Sequence, residues 1–182
     1  MSTESNAAEA SSPTLDHPLA RIFLILSIGV LLFSALRRGQ PWDGDFALYL
    51  MNARNIVLGL PYAKTAYLLN PDNAINPAAY PPGVPLLFAP IYALFGIDLP
   101  KLKILCIAGL LLFLVVFYRT ARGMVPESFA LAVTALMGLH PFIVDSENSP
   151  ASEFPFLFFC YSALYLVNRA QQQDRASTRQ RP

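Results

Sequence analysis

The chain has 182 residues, of which 54% are hydrophobic and 14% are charged, and its formal net charge is +1. This composition argues against an ordinary soluble domain and favours a bilayer as the solvent. The near-neutral charge provides no basic field of the kind that nucleic-acid binders use, which excludes nucleic acid as a partner. Cys106 and Cys160 lie in apolar runs without CxxC spacing, which is typical of buried thiols.

The amino-terminal segment 1–18 is small, polar and mildly acidic, which predicts a disordered cytoplasmic leader. The apolar run Leu19 to Leu36 follows it. At about 1.5 Å per residue, this run can cross most of a hydrocarbon core about 30 Å thick. The leader has no basic start, and no small-residue cleavage site precedes Arg37. The pattern therefore predicts an uncleaved first span.

A long outer loop, 37–101, follows the first span, and loops of this length usually carry structure or function of their own. Apolar residues at helical spacing predict an amphipathic surface helix over 46–58, with Asp45 as its N-cap or first residue. The segment 62–82 is typical of an ordered loop. The short apolar stretch 84–97 contains two prolines and predicts an interfacial or re-entrant helix. If 84–97 spanned the membrane instead, the topology of everything after it would invert.

Three further apolar runs, 102–118, 129–144 and 150–167, predict the remaining spans. A polar break over 145–149 makes the last two a helical hairpin with an acidic tip. The polar tail 169–182 is predicted to be cytoplasmic. The predicted fold class is therefore all-α: a polytopic transmembrane helical protein with about four spans and juxtamembrane helices in its first outer loop.

A cytoplasmic start places the first loop and the hairpin tip on the outer face. The arginines after the second span and in the tail then lie inside, as the positive-inside rule prefers. Four other cations lie outside in this arrangement, against the rule: Arg37, Arg38, Lys101 and Lys103. The acidic residues of the two outer loops share one face, so the two loops could form one site.

Asp45 and Tyr49 are one helical turn apart on the same face, which suggests a general base with an aromatic neighbour. The alternative is that Asp45 only caps the helix and Tyr49 belongs to an interfacial aromatic belt. Asp43 and Asp45 form an Asp-x-Asp pair, whose carboxylates could bind a divalent cation. One such tripeptide is common by chance, so metal binding stays an open question.

Glu153 stands at the edge of an apolar span, where a carboxylate is costly unless it is solvated or paired. It is therefore a candidate functional residue, whereas Glu147 at the hairpin tip is more simply explained by contact with water. Several cations of the first loop could pair with a lipid phosphate, although interfacial cations are also ordinary anchors. These cations are Arg54, Lys64, Lys101 and Lys103.

The ordered set of features resembles the amino-terminal region of the GT-C superfamily of membrane glycosyltransferases. The set comprises a first span, GDFALYLMNARNIVLGLPY in the outer loop, AYPPGVPLLFAPIYALFG, a span ending in arginine, and a hairpin with NSPASEFPFLFF. The similarity is to the branch with protein mannosyltransferases and lipid A aminoarabinose transferases. It covers roughly Leu19 to Asn168.

The resemblance implies transfer of a sugar from a polyprenyl-phosphate donor to an acceptor hydroxyl, with inversion, at the outer face of a bacterial inner membrane. Asp45 would be the general base. The residues assigned to substrate binding are Asp43, Tyr49, Arg54, Tyr80 and Glu153. Two positions depart from the family pattern: Phe46 stands where many relatives have Glu, and Tyr80 stands where some have Lys to meet the carrier phosphate.

The family fold needs more spans than this chain has, so the chain is expected to be an amino-terminal portion that uses partner helices from a missing or separate chain. The alternative is a non-catalytic accessory or carrier-lipid-binding protein derived from this fold. A transporter half is disfavoured, because the sequence has no inverted repeat and no ionisable residue at mid-span.

Overall fold

The computed structural model describes residues 18–39, 45–67, 70–74, 80–146 and 152–179. This part of the chain is mainly helical. Its helices are α1 Pro18–Ala35, α2 Phe46–Leu58, α3 Gly83–Phe95, α4 Leu99–Arg122, α5 Glu127–Gly138, α6 Pro141–Ser146 and α7 Glu153–Arg179. Its strands are β1 Ala66–Tyr67 and β2 Asn70–Ala74.

Two of the described helices, α1 and α4, are long and apolar enough to cross a membrane. They coincide with the predicted spans 19–36 and 102–118. Within α4, Pro100 stands in the first turn, where its missing N–H is tolerated, and Asp98 caps the helix by accepting from the Lys101 amide at 3.1 Å. The chain is thus helical with two candidate membrane spans.

The third and fourth predicted spans differ from the structure. The predicted helix 129–144 is divided, because α5 ends at Gly138 and α6 begins at Pro141, where proline cannot donate a helical hydrogen bond. With 12 residues, α5 is about 18 Å long, which is too short for a bilayer core. The helix predicted from residue 150 begins at Glu153 and continues to Arg179, well into the predicted polar tail. A four-span topology stays a prediction.

The first loop contains helices α2 and α3 close to the predicted segments 46–58 and 84–97. Between them, β1 and β2 form an antiparallel pair in which Ala66 faces Ala74 and Tyr67 faces Asn70. The all-α class is confirmed, and the segment 62–82, predicted to be an ordered loop, contains this one short strand pair within its described residues.

The helices α1, α4 and α5 alternate in direction. The Lys103 ammonium near the start of α4 donates to the carbonyls of Arg37 and Gly39, just after α1, at 2.8 and 2.5 Å. Arg21 near the start of α1 pairs with Glu127 at the start of α5 at 3.3 Å. We call the end of the bundle where α1 ends and α4 begins the loop end, and the opposite end the arginine end.

Helix α7 runs alongside α4 in the same direction. At Gly109 of α4, a β-carbon would lie 3.1 Å from the backbone nitrogen of Pro155 and 3.3 Å from the carbonyl carbon of Phe154. Further along both helices, the Tyr161 ring meets Phe113 with ring centroids 5.0 Å apart. This close approach fixes the first turn of α7, and with it Glu153, at the loop end.

Candidate functional site

Asp45 is the N-cap residue of α2, but its side chain makes no capping hydrogen bond. Its backbone carbonyl accepts from the amides of Leu48 and Tyr49 at 3.0 and 3.1 Å, and its side chain is exposed. The Asp45 carboxylate therefore does not cap α2, contrary to the alternative in which capping was its only role. The carboxylate lies at the amino-terminal, positive end of the α2 dipole.

The Tyr80 hydroxyl donates a short hydrogen bond to Oδ1 of Asp45. This hydrogen bond, with a smaller contribution from burial, raises the pKa of Tyr80 to about 12. Each carboxylate oxygen can accept hydrogen bonds, so Oδ2 of Asp45 can accept from a second hydroxyl. Tyr80 is thus a direct partner of Asp45.

Tyr49 connects α2 to the start of α7. Its hydroxyl donates to Oγ of Ser152 at 3.2 Å, and its ring meets that of Tyr80 edge-on with centroids 5.0 Å apart. Burial raises the pKa of Tyr49; the Ser152 hydrogen bond opposes this rise, and the carboxylates of Asp45 and Glu153 add to it. Two segments about a hundred residues apart in sequence therefore meet at Tyr49.

A cavity of about 490 Å³ lies beside these residues, between α3 and α7. We call it the loop-end cavity. Three side chains with polar groups line it, those of Tyr49, Ser152 and Glu153. Its other lining residues are Pro81, Gly83, Val84, Leu87, Pro155, Phe156 and Phe159. An apolar cavity with a few convergent polar groups is typical of a small-molecule binding site.

Two buried asparagines of α2 hold the loop that carries Tyr80. The Asn52 amide donates to the carbonyl of Tyr62 at 2.8 Å, and the Asn55 amide donates to that of Lys64 at 2.7 Å. The Tyr62 hydroxyl in turn donates to the carbonyl of Tyr80 at 2.6 Å. Sequence reasoning gave the asparagines no role, although two amides one turn apart beside a proline-rich loop were an available signal.

Two of the cations considered for lipid phosphate have partners within the protein. Lys101 forms an ion pair with Asp98. Lys103 is fully buried and donates to backbone carbonyls after α1, so its expected position at the lipid interface is wrong. Its ammonium instead ties the end of α1 to the start of α4.

Arg54 is not among the residues lining the loop-end cavity. It follows Asp45 by nine residues, which is about 14 Å along α2 and half a turn around it. Asp43 and Glu147 lie outside the described residues. Over the ranges that the structure covers, no group of three or more His, Cys, Asp or Glu could hold a metal ion. The assignments of Asp43 to substrate and of the Asp-x-Asp pair to a cation stay predictions.

Comparison with known proteins gives no relative: no family model, curated protein or solved structure matches the chain. A function for the chain is therefore inferred from the geometry of the loop end.

Proposed function

We propose that the chain functions in glycosyl transfer of the GT-C type, moving a sugar from a polyprenyl-phosphate donor to an acceptor hydroxyl. The observation that supports this is the contact of Tyr80 with both Asp45 and Tyr49, next to an apolar cavity that Tyr49 and Glu153 line. A carboxylate next to a cavity for an apolar chain is what such a reaction requires.

Asp45 acts as the general base in this proposal. The acceptor oxygen attacks the anomeric carbon, the bond from that carbon to the phosphate oxygen breaks, and its electron pair leaves with the lipid phosphate. Oδ2 of Asp45 accepts the proton of the acceptor hydroxyl, while Tyr80 holds Oδ1 and orients the carboxylate. A single displacement of this kind inverts the configuration of the sugar.

The loop-end cavity would hold the first part of the isoprenoid chain, with the donor phosphate at its polar edge near Ser152 and Glu153. None of the described residues that line this cavity is cationic. The charge of the phosphate would therefore be balanced by a partner helix or by a divalent cation. A divalent cation could bind both a carboxylate and the phosphate, because such ions prefer oxygen ligands.

The apolar character of the cavity also favours a second function, carrier-lipid binding without catalysis. Both functions require the polyprenyl chain in the same place. They differ at Asp45, since only the enzyme needs a base there.

Replacing Leu87 by Trp tests the feature that both functions share, a polyprenyl chain in the loop-end cavity. Leu87 lines the loop-end cavity, so the larger indole should occupy space that the lipid needs. We expect the affinity for radiolabelled undecaprenyl phosphate, measured by retention on the purified chain in detergent, to fall by about tenfold or more, equivalent to about 1.4 kcal/mol.

Leu86→Trp is the matched control. Leu86 is the preceding residue of α3 and is 55% exposed, so its replacement leaves the cavity open. Unchanged affinity with Leu86→Trp and reduced affinity with Leu87→Trp would support the proposal. Equal affinity for both variants would contradict a carrier site in this cavity.

A further inference from the structure

A second cavity, of about 670 Å³, lies at the arginine end of the bundle. We call it the arginine-end cavity. Three arginines line it: Arg21 from α1, and Arg119 and Arg122 from the last turn of α4. Its apolar lining residues are Ile22, Leu24, Ile25, Leu26, Val115 and Leu131. Charged and apolar surfaces therefore meet in one cavity.

Positive charge exceeds negative charge there. Glu127 pairs with Arg21 at 3.3 Å and lies 4.0 Å from Arg122, and it also accepts from the Tyr118 hydroxyl at 2.8 Å. Arg119 is exposed, and none of the ion pairs found among the described residues includes it. Three guanidinium groups and no carboxylate are among the described residues that line the cavity, and Arg119 is placed there to meet an additional anion.

The form of the cavity favours a lipid phosphate over a soluble one. Guanidinium groups match the geometry of phosphate oxygens with paired hydrogen bonds. The apolar wall continues from the arginines for more than one turn along α1, from Ile22 to Leu26. Both α1 and α4 are candidate membrane spans, so a bilayer lipid could enter between them. A free phosphate would leave this wall unused.

We infer that the arginine-end cavity binds an anionic phospholipid, with the phosphate at the arginines and an acyl chain along α1. Clusters of basic residues at the ends of membrane helices attract anionic headgroups. This inference is independent of the proposed glycosyltransferase activity, because the loop-end cavity lies at the other end of the bundle.

The test is a titration of the purified full chain in detergent with dioleoylphosphatidylglycerol. The quantity measured at each lipid concentration is the midpoint temperature of thermal unfolding. A ligand that binds the folded state raises this midpoint. We expect phosphatidylglycerol to raise it and phosphatidylcholine to leave it unchanged. Glycerol 3-phosphate at the same concentration should also leave it unchanged, because it has no acyl chain for the apolar wall.

With Arg119→Gln, the phosphatidylglycerol concentration that gives half of the stabilisation should rise about tenfold or more, since a charge-assisted contact is lost. Arg175→Gln is the matched control: it removes the same charge from an exposed position on α7 outside the cavity. Three results would each overturn the inference: equal stabilisation by phosphatidylcholine, equal stabilisation by glycerol 3-phosphate, or equal weakening by Arg175→Gln.

Discussion

Replacing Asp45 by Asn is expected to reduce sugar transfer by about 100- to 10,000-fold, the usual contribution of a positioned general base. The amide retains the size of the side chain and can still accept from Tyr80, but it cannot take the proton of the acceptor hydroxyl. The measurement is the initial rate of transfer from a radiolabelled polyprenyl-phosphate sugar, in membranes that contain the full chain.

Asp145→Asn is the control for this experiment. Asp145 is also a carboxylate near the loop end, but its side chain is 75% exposed and its pairing with Arg37 spans 3.7 Å. Its replacement should leave the rate unchanged. If Asp45→Asn retained the full rate, Asp45 would not be the base. If neither the wild type nor the variant transferred sugar while both bound undecaprenyl phosphate, the non-catalytic carrier-binding function would be favoured.

Gly109→Ala is expected to destabilise the bundle by about 1–3 kcal/mol, because the added methyl group meets the backbone of α7 and backbone cannot rotate away. The new β-carbon would lie 3.1 Å from the Pro155 nitrogen. The first turn of α7 must then move outward, and it carries Ser152 and Glu153 at its start. We therefore expect a lower free energy of unfolding in detergent and weaker binding of undecaprenyl phosphate.

The control is the same substitution at Gly29, which lies in α1. A β-carbon there would meet only the Leu111 side chain, at an ordinary 3.5 Å. Both substitutions gain helix propensity of up to about 1 kcal/mol, so their difference isolates the contact between α4 and α7. If Gly109→Ala were as stable as Gly29→Ala, the close approach of α7 to Gly109 would be wrong.

The helices that the sequence predicted best are those with a local signal. Continuous apolar runs predicted α1 and α4, and the 3.6-residue period after Asp45 predicted α2. The division at residues 139–140 also had a local signal in Pro141, but the predicted span 129–144 continued across it. Polar residues after Val167 suggested a tail, whereas α7 continues because residues 168–179 contain no proline or glycine.

The contacts of the candidate site had no such signal. Helix α2 and the chain after it separate Asp45 from Tyr80 in sequence. Asn52 and Asn55 hold the first part of that chain by hydrogen bonds to the carbonyls of Tyr62 and Lys64, and the periodicity of the sequence does not reveal such bonds. The sequence showed Lys103 as a cation beside an apolar run. Its burial follows only from the return of α4 to the end of α1, where it meets two backbone carbonyls.

The hydrogen bond between Tyr80 and Asp45 is the contact that assembles the site, and a tyrosine titration tests it directly. A folded-state pKa of about 12 lies above the ordinary value of 10.0. The stabilisation from this bond is therefore fully present below pH 10 and is lost as the pH rises towards 12.

The measurement is the absorbance difference at alkaline pH between the wild-type chain and Tyr80→Phe. We expect the missing tyrosine to titrate near pH 12 in the wild type and closer to pH 10 in an Asp45→Asn background. A difference curve centred near pH 10 in both backgrounds would contradict the contact, and with it the assembly of the site around Asp45.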